Sequence, residues 1–174
     1  MAIAFVAKRP IQARLVRKPG RRAPIAQLGA ILGSGHAMLV FGIALALIAR
    51  KSSDPRLREA AKRFAKAGVI GWTLFQPTRF VLAERRPNAG GKMRFFRFHG
   101  HGVSGHAMAT ALVYGPIMST YGAQMTPAKR RALSAALLGW IGIVAWSRVR
   151  LDEHYLWNSL LGTAMGLRIS GAAI

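Results

Sequence analysis

Five apolar segments punctuate the chain: Ala26–Ile48, Ala67–Leu82, Val103–Tyr121, Ala132–Trp146 and Tyr155–Ile174. The first contains an uncharged run, LGAILGSGHAMLVFGIALALIA, which as a helix rising 1.5 Å per residue crosses the ~30 Å hydrocarbon core of a bilayer. The second and fourth are short for full spans, and the second contains Pro77 and Arg79. Polar connectors separate them: ARKSSDPRLREAAKRFAK, AERRPNAGGKMRFFRFHGHG, GAQMTPAKRR and SRVRLDEH. This pattern predicts an all-α fold, a polytopic membrane helix bundle of about five transmembrane helices, with residues 26–174 forming one membrane-embedded domain. Residues 1–25 read as a basic interfacial N-terminal segment. They do not resemble a signal peptide, because the apolar run is short and basic residues follow it rather than precede it.

Charge sharpens this picture. The chain carries 26 Lys and Arg against five acids, for a formal net charge of +21, yet 52% of it is hydrophobic. A nucleic-acid binder accounts for the charge but not for the long uncharged runs. Anionic membrane lipids are therefore the expected bulk partner, and no nucleic acid is expected. Without Cys there is no disulfide framework and no thiolate metal site.

Alternating passage through a bilayer brings four places to one membrane face: the end of the second segment with Arg79 and Arg86, the start of the third with Ser104 to His106, the end of the fourth with Arg148, and the start of the fifth with His154. Arg79 and Arg86 are seven residues apart, so on one helix they share a face and suit a phosphate; arginines snorkelling from a helix end would look the same. Ser104 sits where a helix begins, so its hydroxyl and the first free N–H groups can hold an anion while Gly105 allows close approach. A capping Ser followed by an incidental His reads equally well. His154 with Asn158 one turn on and Arg148 nearby has the form of an oriented nucleophile beside a phosphate-binding cation, or of a structural turn at the membrane surface.

Taken together, RFVLAERRP (Arg79 to Pro87), VSGH (Val103 to His106) and SRVRLDEHYLWN (Ser147 to Asn158) resemble the three motifs of the type 2 phosphatidic acid phosphatase superfamily, K-x6-R-P, P-S-G-H and S-R-x5-H-x3-D, in order and in internal spacing. The resemblance implies a membrane lipid phosphatase related to the vanadium haloperoxidases, acting on a lipid phosphate or diphosphate through a phosphohistidine, with no metal and no cofactor. It implies His154 as nucleophile, His106 as general acid and base, and Arg79, Arg86, Ser104, Gly105 and Arg148 as phosphate-binding residues. It also implies an integral protein of the bacterial cytoplasmic membrane. Arg79 stands in place of the family Lys, keeping the charge. Val103 replaces a helix-starting Pro. Asn158 replaces the Asp that orients the nucleophile; its amide oxygen is expected to accept from His154 Nδ1–H, and on that reading Asn158→Asp preserves or raises activity. A catalytically weak or inactive relative that binds or transports anionic lipid stays open as the alternative.

The pentapeptide SGHAM also occurs at Ser34 to Met38. In an uninterrupted first span His36 lies ~15 Å below the surface. Gly33, Ser34 and Gly35 then read as a small-residue packing surface. The copy at Ser104 to Met108 is the expected working one. The loop between the first two motifs offers Lys92, Arg94, Arg97, His99 and His101 to a multiply charged headgroup, with Phe95, Phe96 and Phe98 as interface anchors.

Overall fold

The computed structural model describes residues 7–16, 23–90, 92, 94–98 and 100–172, and among them all regular structure is helical. In chain order the helices are α1 (Lys8–Leu15), α2 (Pro24–Leu32), α3 (Gly35–Lys51), α4 (Pro55–Val81), α5 (Gly105–Ala111), α6 (Tyr114–Thr120), α7 (Pro127–Arg150) and α8 (Leu156–Ala172). Short 3-10 turns occupy Pro87–Ala89 and Gly122–Gln124. His99, one of the expected headgroup contacts, lies outside the described residues, as do residues 1–6 and 17–22 of the basic N-terminal segment.

Two of the five apolar segments are broken. The first becomes α2 and α3, bent by 51° at Gly33–Ser34. The third becomes α5 and α6. Among the described residues α7 is the helix long and apolar enough to cross a membrane alone, and the bent α2–α3 pair qualifies as a second. The first break has a local cause. Ser34 is the N-cap of α3, its Oγ accepting from Ala37 N at 3.1 Å, and Ser104 caps α5 in the same way, accepting from Ala107 N at 3.3 Å. Both SGHAM copies are thus helix starts, because a Ser side chain satisfies a first-turn N–H that nothing else in the helix can, at ~1 kcal/mol each. The expected mid-span position of His36 is corrected accordingly: it sits in the first turn of α3 and is exposed.

The bundle exposes many large apolar side chains and buries small and polar ones beside its apolar core. Ile31, Leu39, Val40, Leu47, Ile48, Val69 and Trp72 are exposed, whereas the largest fully buried side chains include Glu84, Asn158, Thr110, Ser104, Ser147, Ser159 and Ser170. Helices facing hydrocarbon gain nothing by burying Leu against Leu, so close packing of small residues and hydrogen bonding hold them together. Gly29 and Gly33 lie against Ser147 and Val144 of α7, which fulfils the small-residue reading for Gly33 but not for Gly35, which faces open space. Gly162 and Gly166, one turn apart on α8, let its backbone approach α5 so closely that a Cβ on either would collide with the carbonyl oxygens of Ser104 and Met108. Ala67, Met108, Leu112 and Ile169 form a small apolar cluster behind this contact, flanked by Ile70, Phe75 and Met165.

Gly162→Ala is therefore expected to destabilise the fold by ~1–3 kcal/mol, the usual cost of an overpacked contact. Gly142→Ala, at a helical glycine with open space around it, is expected to leave the detergent-solubilised protein as stable or more so. Paired thermal unfolding curves check the contrast.

Candidate active site

The three motifs meet at the end of the bundle where α4 and α7 finish and α5 and α8 begin. Helix α4 stops at Val81, and the following chain turns away through Arg86 and the 3-10 turn at Pro87. Arg79 and Arg86 consequently do not share a helix face, which corrects the expectation from their spacing. Residues 92–101 fold back beside the helix end: Arg85 N donates to Lys92 O at 3.0 Å, Arg97 N to Phe80 O at 3.1 Å, and His101 N to Glu84 O at 2.9 Å. Only glycine fits at 100 and 102, where a Cβ would strike the backbone of Arg79 to Ala83. Phe95, Phe96 and Phe98 are exposed at the loop's tip, with the last two rings packed on Phe80.

Between α7 and α8 the chain reverses in a tight turn. Glu153 N and His154 N both donate to Arg148 O, at 3.0 and 3.1 Å, and Asp152 adopts φ 58° to make this possible. The turn fixes His154 next to Arg148. His154 is 5% exposed, and its titratable neighbours include Arg148, Arg86, His101 and His106. Burial first, then the Arg148 and Arg86 guanidiniums, push its imidazole down to about 3, so the ring is neutral at physiological pH and keeps a lone pair for chemistry. His106, in the first turn of α5, counts Arg148, Arg86 and His36 among its charged neighbours. His106, His154, Arg86 and Arg148 are thus gathered in one place, from elements far apart in the chain.

Arg79 stands one ring away from that group. Its Nε donates to Gly100 O at 3.0 Å, its guanidinium lies 5.4 Å from the Phe75 ring centre, and that same ring rests against Gly105. Ser104 is fully buried at the α5 N-terminus, with Ser104 N donating to Asn158 O at 3.2 Å.

Asn158 does not meet the expectation that it orients His154. Its Oδ1 accepts from Tyr155 N at 2.8 Å, and its Nδ2 donates to Glu84 Oε2 at 3.1 Å and Gly102 O at 2.6 Å. His154 Nδ1 has no hydrogen-bond partner among the described residues. Spacing of four residues aligns two side chains only inside a helix, and α8 begins at Leu156, after His154.

Two acids near the site take parts that the motifs did not specify. Glu153 pairs with Arg86 and reaches Arg148 Nη2 at 3.6 Å, so one carboxylate spans two guanidiniums. Glu84, 1% exposed, pairs with Lys8 of α1. The signal for both was their scarcity: in a chain this basic, each of these two carboxylates meets a positive partner. Among the described residues no group of three or more His, Asp or Glu side chains gathers as a metal-ligand set.

Residues 72–174, more than half of the chain, match the PAP2 superfamily. The chain belongs to the PAP2 superfamily. Its fold is similar to that of the first transmembrane PAP2 type phosphatidylglycerolphosphate phosphatase from Bacillus subtilis, at 17% identity and TM-score 0.66, covering 99% of this chain and 85% of that one. It is similar too to Aquifex aeolicus LpxE, at 13% identity and TM-score 0.60, covering 94% of this chain and 92% of that one. No curated protein matches the sequence. The PAP2 match begins within α4, so α1 to α3 lie outside it.

Because Glu153 occupies two guanidiniums, Glu153→Gln is expected to free them and so to tighten binding of inorganic phosphate ~2- to 5-fold, the range for a partly exposed ion pair. Isothermal titration of the detergent-solubilised protein reads this directly.

Proposed function

We propose that this PAP2 protein is an integral membrane phosphatase that hydrolyses a lipid phosphate or diphosphate through a phosphohistidine. The observation that carries the reading is the pairing of two histidines, His106 and His154, with the guanidiniums of Arg86 and Arg148 in one partly buried site. In the proposed reaction the neutral His154 attacks phosphorus in line, and the phosphorus–oxygen bond to the lipid breaks. Burial first, then the Arg148 and Arg86 guanidiniums, push the free His106 ring down to about 4, so the proton that it gives to the departing alkoxide arrives with the substrate, as the proton of the lipid phosphate monoanion. His106, now neutral, takes a proton from a water that attacks the phosphohistidine, the phosphorus–nitrogen bond breaks, and inorganic phosphate leaves. Arg86, Arg148, Ser104 and the backbone at Gly105 face the equatorial oxygens as charge spreads over them, with Arg79 at the margin through Phe75. The guanidiniums supply the positive charge, so a resident metal is not required in this scheme.

Placement in the bacterial cytoplasmic membrane belongs to the same reading. Placement in a membrane as such is supported by the exposed apolar residues of α2, α3 and α4, and by the aromatic tip Phe95, Phe96 and Phe98, which suits the interface where a lipid headgroup is presented. Lys92, Arg94, Arg97 and His101 extend the positive surface toward a headgroup with more than one charge, with bulk anionic lipid around it. A catalytically weak or inactive chain that binds or transports anionic lipid is the alternative reading; it is favoured by His154 Nδ1 having no hydrogen-bond partner among the described residues, with Asn158 engaged by Glu84, Gly102 and Tyr155 instead.

Phosphate release from phosphatidic acid, phosphatidylglycerol phosphate and polyprenyl diphosphates tests the proposal. At least one is expected to be hydrolysed, with His154→Ala inactive and His106→Ala slowed ~10²–10⁴-fold, the worth of a positioned acid. Turnover that survives both substitutions would refute the assignment.

A further inference from the structure

We infer that Lys8, Glu84 and Asn158 form a buried positioning chain through which the N-terminal helix α1 sets the spacing between the His154 turn and the Ser104 helix start. The inference rests on the phosphatase reading for its effect on turnover, but its structural basis is independent of it. Glu84 is almost wholly buried, and a carboxylate there must be matched by charge and hydrogen bonds. Its two oxygens are divided: Oε1 pairs with Lys8 and Oε2 accepts from Asn158 Nδ2. Asn158 in turn spends its second amide hydrogen on Gly102 O and its oxygen on Tyr155 N. Gly102 is two residues before Ser104, and Tyr155 follows His154. The same amide therefore ties together the backbone beside both working elements. Helix α1 is fastened to the His154 turn a second time, by Gln12 Nε2 donating to Val149 O at 3.2 Å and to Asp152 Oδ1 at 2.7 Å.

Donor and acceptor polarity in this chain is fixed, and it explains the residue at 158. An Asp there would turn an acceptor toward two acceptors, Glu84 Oε2 and Gly102 O, and would place a second negative charge beside a buried carboxylate. Asn is thus the residue that Glu84 demands. The negative charge that the family motif carries at the end of its third motif resides here at 84, in the first motif, and is neutralised by a helix outside the residues that match the family. This reverses the expectation that Asn158→Asp preserves activity.

The test uses the full chain in detergent, with two readouts: kcat and KM on the lipid phosphate it hydrolyses fastest, and amide hydrogen exchange over residues 101–106 and 151–158. Asn158→Asp is expected to lower kcat ~10²-fold, as a displaced catalytic group does, with KM changed less, and to speed exchange at Tyr155. Adding Glu84→Gln, which restores a donor facing the new carboxylate, is expected to recover about tenfold of the loss. Lys8→Met is expected to lower kcat and speed exchange in the same segments, and Lys8→Arg to retain both. Asn158→Asp behaving as wild type, or a double variant no better than Asn158→Asp alone, overturns the inference. If the wild type releases no phosphate from any lipid tested, the phosphatase reading fails, and the exchange pattern of the same variants still decides whether the chain exists.

Discussion

The site depends on how closely two helix backbones approach. Gly162 and Gly166 bring α8 against the carbonyls of Ser104 and Met108, nearer than any side chain at those positions permits. That contact sets the distance between the start of α5, which carries His106, and the turn that precedes α8, which carries His154. Each element is local and short. Ser104 starts α5 by capping it, and the Arg148 carbonyl closes the turn by taking two N–H groups. What makes them one site is the absence of two methyl groups on a neighbouring helix. Close packing of this kind is the available adhesive where the outer surface meets hydrocarbon, and the charges it encloses near the motif residues act with more force than they would in water.

Charge then completes the geometry. In a chain with 26 basic residues and five acids, every acid is engaged: Asp54 with Arg56, Glu59 with Arg63, Glu84 with Lys8, Asp152 with Gln12, and Glu153 with Arg86 and Arg148. Asp54 and Glu59 serve the exposed start of α4. The other three surround the motif residues, where each carboxylate fixes the position of a cation or an amide. The arrangement resembles a lattice of positive charge held apart by a few well-placed anions. On the proposed function, an incoming phosphate enters that lattice by displacing Glu153, while Glu84 is too deeply buried to be exchanged.

Much of this was legible along the chain. Motif order and internal spacing identified His106, His154, Arg86 and Arg148 as partners, and the five apolar segments gave an all-helical bundle. The failures share one cause, which is that periodicity was extended across breaks that only local chemistry reveals. The seven-residue spacing of Arg79 and Arg86 was read on one helix, but α4 ends between them. The four-residue spacing of His154 and Asn158 was read likewise, but the helix starts after the His. The first SGHAM was read as part of a continuous span, although its Ser and Gly are the same start signal as in the second copy. Long-range pairs such as Lys8 with Glu84 and Asn158 with Gly102 left no periodic trace at all; for the first, the rarity of acids was the one sign.

The central claim is that His154 is the group that receives phosphorus. Rapid acid-free quenching of the enzyme during turnover, followed by mass spectrometry of its peptides, tests it most directly. A phosphoryl group on His154 that is lost in acid and kept in base is predicted. Phosphate on a different residue, or turnover with no phosphoenzyme even when His106→Ala slows its hydrolysis, would contradict the account.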